Sequence, residues 1–204
     1  MIWLNNGITL NESLVTSAEA GDLKSIQTLI SDGAHINWQD SRGRTPIMAA
    51  THANQVASVE QLIDAGADID LQDNMKDNPF LYAGAEGLLE ILRLMIKAGA
   101  DTKLTNLYGG SALIPACERG HVEVVDEILR TSDVDVNHIN NLGWTALLEA
   151  IVLTDGGPKF QRVTQMLIDH GADISIPDKE GVTALEHAKN RGFKEIVSIL
   201  ERGS

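Results

Sequence analysis

Cysteine and basic residues are scarce in this 204-residue sequence. Its one cysteine cannot form an intramolecular disulfide or a zinc site made of several cysteines, which excludes disulfide-rich extracellular scaffolds. Lysine and arginine number 16 against 29 aspartates and glutamates, for a net charge of −13. Such a charge repels polyanions, so we expect no binding to nucleic acid or anionic lipid.

Long apolar runs and aromatic residues are also few. No apolar run approaches the roughly 18 residues that span a bilayer, and no basic segment followed by an apolar core marks a secretory signal near residue 1. These absences predict a cytoplasmic protein that does not insert into membranes. Eight aromatic residues against 18 glycines indicate closely packed elements with many small side chains.

Catalytic and cofactor-binding patterns are missing as well. The six histidines show no His-x-x-x-His spacing, and neither Gly109-Gly110 nor Gly156-Gly157 precedes a Lys-Ser/Thr pair. Cys117 lies among small residues, where a buried structural thiol is expected rather than a nucleophile. The sequence therefore predicts no metal, no cofactor and no enzymatic activity.

What the sequence does contain is a repeat of about 33 residues. Apolar residues recur three positions before a small side chain, and a second series, mostly glycine, recurs with the same period. The first series is Leu14, Ile47, Phe80, Leu113, Leu147 and Leu185; the second is Gly33, Gly66, Gly99, Ser132 and Gly171.

The best-preserved copy runs from Asp40 to Ile69 and contains Thr45-Pro46-Ile47 and Gly66-Ala67-Asp68. In this combination the sequence resembles the ankyrin repeat over nearly its whole length. The segment Gly120 to Val125 matches the start of that family's second helix, so a structural hydrogen bond is expected of His121. The resemblance implies an all-α ankyrin repeat solenoid of paired antiparallel helices joined by hairpins or turns.

Local chemistry agrees with that fold. Apolar residues follow at helical spacing, as in Val122, Val125 and Ile128. Asp- and Asn-rich stretches at 40–43 and 140–143 suit projecting turns. Helix starts are predicted at the N-caps Ser111, Thr145 and Thr183, and left-handed helix ends at Gly33, Gly66, Gly99 and Gly171.

The repeats predict one ankyrin repeat domain over residues 1–204. It comprises an N-terminal cap at 1–39, repeats at 40–72, 73–105, 106–139 and 140–177, and a C-terminal cap at 178–204. The period places the final turn of the last cap at Ser204.

Two irregularities interrupt the period. Five extra residues around 154–159 are expected to lengthen the turn between two helices, either as a binding loop or as a neutral insertion. One extra residue near Thr131 to Asp135 is expected to change a local turn.

The resemblance implies that a partner protein binds a concave groove lined by the turn tips and the first helices. Clustered surface aromatic and arginine residues are typical of interface hot spots, although Tyr108, Leu142 and Trp144 are equally explained by packing between hairpins. Carried over by register, the predicted contacts are Arg42, Arg44, Met75, Leu107, Tyr108, Leu142 and Trp144.

The main prediction is thus a non-enzymatic protein-binding module, acting as a monomer or weak homodimer. One alternative is a self-associating structural protein that exposes apolar residues of its C-terminal cap, namely Phe193, Ile196, Ile199 and Leu200. A second is a small-molecule or enzymatic site near the 154–159 insertion, and a third is a secreted effector that acts in a host cell.

Overall fold

The computed structural model describes residues 9–203 and contains twelve α-helices and no β-strand in that range. The all-helical prediction is confirmed; the predicted final turn at Ser204 lies outside the described residues. The helices are α1 Leu10–Ala20, α2 Leu23–Ser31, α3 Pro46–His52, α4 Val56–Asp64, α5 Pro79–Glu86, α6 Leu89–Ala98, α7 Leu113–Arg119, α8 Val122–Thr131, α9 Ala146–Val152, α10 Pro158–Asp169, α11 Ala184–Asn190 and α12 Lys194–Arg202.

Hydroxyl side chains begin several of the odd-numbered helices. The side chains of Thr45, Thr145 and Thr183 each accept a hydrogen bond from the backbone N–H three residues later, so the two predicted threonine caps are confirmed. The prediction for Ser111 is wrong. Helix α7 begins only at Leu113, its N-cap position is Ala112 in helical conformation, and no side chain caps it.

Glycine follows the ends of four even-numbered helices in the left-handed conformation, as predicted. The φ angles are 91° at Gly33, 87° at Gly66, 84° at Gly99 and 86° at Gly171. These helix ends close with paired backbone bonds to the last turn, because a glycine lacks the Cβ that makes this conformation costly.

The chain folds into two compact units. The first, described from Thr9 to Ala83 and again over Glu90–Asp101, packs α1 on α3 and α2 on α4. Its core contains fully buried apolar residues from successive repeats, among them Leu14, Ile47 and Phe80.

The second unit contains Gly84–Leu89 and the chain from Thr102 onward. There α7 packs on α9 and α9 on α11, while α8 packs on α10 and α10 on α12. This arrangement makes two layers of helices, because the apolar face of each helix pair is buried against its neighbour. The division of the chain into caps and repeats remains a prediction; one helix pair lies within each predicted segment.

The 154–159 insertion is shared between a turn and a helix. The connection from α9 to α10 has five residues where that from α3 to α4 has three, and α10 has 12 residues where α4 has nine. The expectation that the insertion lengthens the turn is therefore only partly right. Pro158 accounts for the difference, because a proline at the first helical position favours starting the helix early.

The inserted segment is well packed. Arg191 donates a hydrogen bond of 2.6 Å to the Thr154 carbonyl, and its guanidinium lies 4.9 Å from the ring centre of Phe193. At the other end of the inserted segment, Lys159 Nζ donates a hydrogen bond of 3.0 Å to the Arg119 carbonyl. The insertion thus bridges the α7–α8 and α11–α12 connections within the second unit.

The C-terminal cap does not expose the apolar residues on which the self-association alternative depended. Ile196, Ile199 and Leu200 are buried, and Phe193 is half-buried. That expectation is wrong because α12 turns its apolar stripe toward α10 and α11.

Candidate partner-binding turns

Five turns of the same geometry precede the odd-numbered helices α3 to α11. Each begins with an aspartate or asparagine whose Oδ1 accepts hydrogen bonds from the backbone N–H groups two and four residues later, at 2.8–3.1 Å. Such side-chain closure is the usual turn chemistry of these two residues. The initiating residues are Asp40, Asp73, Asn106, Asn140 and Asp178.

Each turn exposes its third residue. In the second unit, Tyr108 keeps 58% of its surface exposed and Leu142 keeps 54%, and Leu107 beside Tyr108 is exposed too. In the first unit, Met75 and Arg42 are also exposed. Five of the seven predicted contacts therefore lie at the surface.

Backbone bonds join neighbouring turns within each unit. Asn141 N–H donates to the Tyr108 carbonyl at 2.9 Å, and the Asn141 side chain lies against Gly109. In the first unit, Asn74 N–H makes the matching bond of 3.0 Å to the Arg42 carbonyl. The turns of Tyr108 and Leu142 are thereby held side by side, so their backbone has little conformational freedom to lose on binding.

The fifth residue of each turn is buried or half-buried, and one prediction fails there. Arg44 was expected to present its charge at the surface, yet it is only 4% exposed. Its Nε lies 2.9 Å from Asp40 Oδ2 and its Nη1 lies 3.1 Å from Glu19 Oε1. Both carboxylates neutralise it, so it carries no free charge to a partner. Trp144, in the equivalent position, is half-buried, which fits both packing between hairpins and contact with a partner, so its role stays a prediction.

Asp40 and Arg44 form a partly buried ion pair. Burial opposes ionisation of Asp40, but the backbone and side-chain hydrogen bonds from Arg44 outweigh it and lower the pKa of that carboxyl below its usual value. The pair fixes the shape of the first turn and leaves Arg42 as its exposed cation.

Glu149 on α9 is the titratable residue that sequence reasoning missed. It is 5% exposed, and its Oε1 accepts a hydrogen bond of 2.8 Å from Asn140 Nδ2. Burial, with repulsion from Glu118, raises the pKa of Glu149 to about 7. The repeat pattern contained the signal, because the equivalent position in the first full repeat is Ala49.

Other reactive side chains have structural surroundings. Cys117 is completely buried, and burial raises the pKa of its thiol well above the usual value, so it is not a ready nucleophile. The His121 ring hydrogen-bonds the Ala85 backbone, as expected of a structural histidine; burial nevertheless lowers the pKa of His121. Within residues 9–203 no three or more His, Cys, Asp or Glu side chains are grouped to hold a metal ion, and no helix there is long and apolar enough to cross a membrane.

Comparison with known proteins agrees with this geometry. A family model described as ankyrin repeats (3 copies) matches residues 14–106 and 80–178. The chain belongs to the ankyrin repeat family. The ankyrin repeat protein YahD of Escherichia coli K12 is 45% identical over 184 residues, covering 90% of this chain and 92% of YahD.

Solved ankyrin repeat structures have the same fold. An ankyrin repeat domain from Acinetobacter baumannii AYE matches with a TM-score of 0.90 and 47% identity, covering 93% of this chain and 96% of its own. A second ankyrin repeat protein matches with a TM-score of 0.90 and 39% identity over 94% of this chain and 98% of its own. The 26S proteasome regulatory subunit p28 of Saccharomyces cerevisiae is 35% identical over 86 residues, 42% of this chain and 36% of that protein. The chain is therefore an ankyrin repeat solenoid, a fold generally used for interactions between proteins.

Proposed function

We propose that this ankyrin repeat protein is a non-enzymatic binding module that holds a partner protein through the adjacent turns at 106–110 and 140–144. The observation that carries the proposal is the exposure of Leu107, Tyr108 and Leu142 on two turns joined by the Asn141–Tyr108 backbone bond. A folded chain gains nothing from large apolar side chains in water, whereas an interface gains from burying them.

Two features support a protein as the ligand. Exposed aromatic and aliphatic side chains on a backbone held by hydrogen bonds are typical of interface anchors. The yeast relative is named as a regulatory subunit of the 26S proteasome, which is an assembly of proteins. A monomer or weak homodimer in the absence of the partner and a cytoplasmic location belong to the same proposal.

The test places a photoreactive amino acid at Tyr108 of the full chain and, as a control, at Leu153. Both side chains are exposed apolar residues of the second unit, but Leu153 follows α9 and lies outside the two turns. Proteins crosslinked in extract of the native cell are identified by mass spectrometry. We expect a protein crosslinked from position 108 and not from position 153; equal crosslinking from both positions would contradict the proposal.

The purified partner is then titrated with wild type and with a Tyr108→Ala, Leu142→Ala variant. We expect the dissociation constant to rise by at least about 30-fold, equivalent to roughly 2 kcal/mol. Circular dichroism checks that the variant remains folded, as expected for exposed side chains. An unchanged dissociation constant would show that the turns are not the binding surface.

A further inference from the structure

A cleft of about 330 Å³, lined by residues with polar side chains, lies in the second unit, between the loop that leads into the turn at Asn106 and the loop that leads into the turn at Asn140. This volume is at the lower end of the range for small-ligand sites and exceeds that of one long side chain. Its lining includes Thr102, Lys103, Ser111, Asp133, Asp135 and His138.

Three departures from the repeat pattern meet in this cleft. Thr102 stands where other repeats have Ile36, Ile69 and Ile174. His138 stands where they have Trp38, Leu71, Leu104 and Ile176, and Ser111 occupies the capping position without capping a helix. Thr102 and His138 leave an apolar pattern and Ser111 leaves a capping pattern, so their convergence on one cavity needs an explanation other than packing.

Ser111 supplies the most direct sign of a missing ligand. It is 5% exposed, and its hydroxyl has no hydrogen-bond partner. By contrast, Thr145 in the equivalent position bonds the Leu148 N–H at 3.2 Å. Leaving a buried hydroxyl unpartnered costs free energy that a hydrogen-bonding ligand would recover.

The cleft offers mainly hydrogen-bond acceptors. Asp133 accepts from the Thr102 hydroxyl, which lowers the pKa of that carboxyl, and Asp135 Oδ1 accepts from Asn137 N–H at 2.9 Å. His138 Nε2 lies 2.6 Å from the Gly109 carbonyl, which only accepts, so in the neutral ring Nδ1 is left as an acceptor.

One cationic side chain, that of Lys103, already lies near the Asp133 carboxylate, but at a long distance. Lys103 Nζ is 3.7 Å from Asp133 Oδ2, and both side chains are largely exposed. Exposed pairs of this kind contribute little to stability, so a better-matched cation can displace the lysine. Two carboxylates against one ammonium leave the cleft with an excess of negative charge.

We propose that this cleft binds the guanidinium group of an arginine side chain on the partner protein. A guanidinium has five N–H donors and no acceptor, and its planar fork matches a carboxylate with two parallel hydrogen bonds. Asp135 and Asp133 hold its charge, and the Ser111 hydroxyl and His138 Nδ1 are the neutral acceptors within the same cleft. This inference rests on the proposed function, since it names a chemical feature of the same partner.

The test uses N-acetyl-arginine amide as the probe and ¹⁵N-labelled full chain as the target, with N-acetyl-citrulline amide as the uncharged control of nearly equal shape. We expect saturable amide shifts at residues 102, 111, 133 and 135 with the arginine derivative only. Equal shifts with both probes, or shifts elsewhere in the chain alone, would overturn the proposal.

Matched variants assign the effect to the cleft. Asp135→Asn keeps the acceptor for Asn137 N–H and removes the charge, and we expect it to weaken binding at least about tenfold. Asp68→Asn is the control, because Asp68 makes the same bond to Asp70 N–H, at 3.0 Å, in the first unit. We expect that control to leave the affinity within about twofold. If both variants bind as wild type, the cleft is not the site.

These experiments need no partner protein. Their failure would therefore leave the proposal for Tyr108 and Leu142 standing, and failure of the crosslinking experiment would leave the guanidinium site standing as a property of the chain.

Discussion

Asn140 Nδ2 donates a hydrogen bond of 2.8 Å to Glu149 Oε1, and this bond ties the turn that presents Leu142 to helix α9. The acceptor belongs to a carboxyl group that is almost completely buried. One neutral amide is a weak counterpart for a buried charge, so the protonation state of Glu149 affects the stability of this repeat.

The raised pKa of Glu149 predicts that its contribution to the stability of the protein falls as the pH rises. Its pKa is about 7 in the folded protein against an ordinary 4.5. A raised pKa means that the folded state holds the proton more tightly, so the contribution of Glu149 to the free energy of unfolding decreases between pH 4.5 and about 7 and levels off above that. The contribution is at most about 3 kcal/mol. Urea unfolding of wild type and of Glu149→Gln at pH 4.5 and pH 8 measures it, because His52 and His121, whose pKa values are lowered, titrate in the same range with the opposite effect on stability.

Glu149→Gln isolates this contribution from other titrations. We expect the variant to match wild type near pH 4.5 and to be more stable at pH 8 by about 1–3 kcal/mol, because glutamine can accept the Asn140 bond without a charge. Glu123→Gln, at an exposed position of α8, should change stability by less than about 0.5 kcal/mol at either pH. A variant that loses stability at pH 8 would refute the role of the buried charge.

Arg44 and Arg42 should differ sharply in their effect on stability. Arg44→Ala leaves Asp40 and Glu19 without their buried cation, and we expect a loss of about 2–3 kcal/mol in the free energy of unfolding. Arg42→Ala removes an exposed cation 3.8 Å from Asp40 and should cost less than about 0.5 kcal/mol. Denaturant unfolding of both variants measures the two losses in the free energy of unfolding. Losses of similar size would contradict the burial of Arg44.

Gly156 tests the packing of the insertion. A Cβ at this position would lie 2.6 Å from the Phe193 ring, and the residue has a φ of 67°. Gly181 has a φ of 82° but no neighbouring atom within 4 Å of such a Cβ. We expect Gly181→Ala to cost about 1 kcal/mol through backbone strain alone and Gly156→Ala to cost about 1–2 kcal/mol more. Equal thermal unfolding of the two variants would mean that the insertion does not pack on Phe193.

Lys76 is a position where a substitution should stabilise the protein. Its φ is 58°, whereas the equivalent turn residues are Gly43, Gly109, Gly143 and Gly181. Lys76→Gly should raise the free energy of unfolding by about 0.5–1 kcal/mol, because glycine adopts this conformation without strain. Asn54→Gly, at a φ of 53°, should gain less, since asparagine tolerates the left-handed region. If Lys76→Gly does not raise the thermal unfolding temperature, the backbone at Lys76 is not strained.

Regular features of the repeat could be predicted from sequence because they depend on local chemistry. The Thr145 cap, the Gly66 helix end and the Asp40 turn each require one residue type at one place in the period. The apolar position of the period recurs six times, which predicts six helix pairs, since neighbours must stack to bury their apolar faces.

Predictions failed where a distant residue decides the outcome. Arg44 is buried because Glu19, 25 residues earlier, approaches it, and no pattern within one repeat reports that contact. Ser111 keeps the capping residue type but loses the cap, because α7 starts after Ala112. Glu149 was visible as an acid in an alanine position, yet its pKa depends on burial that only the folded chain provides.

The third residue of each turn contributes to the fold mainly through its backbone. Its N–H bonds the initiating aspartate or asparagine, and the carbonyls of Arg42 and Tyr108 also accept a bond from the next turn. Its side chain is free to vary, and the five copies carry Arg42, Met75, Tyr108, Leu142 and Glu180 on the same scaffold. We therefore expect a mutation there to change the proposed binding surface with almost no penalty in folding. The fold therefore allows the proposed binding surface to diverge through single codon changes, and we expect libraries randomised at these five positions to yield folded variants.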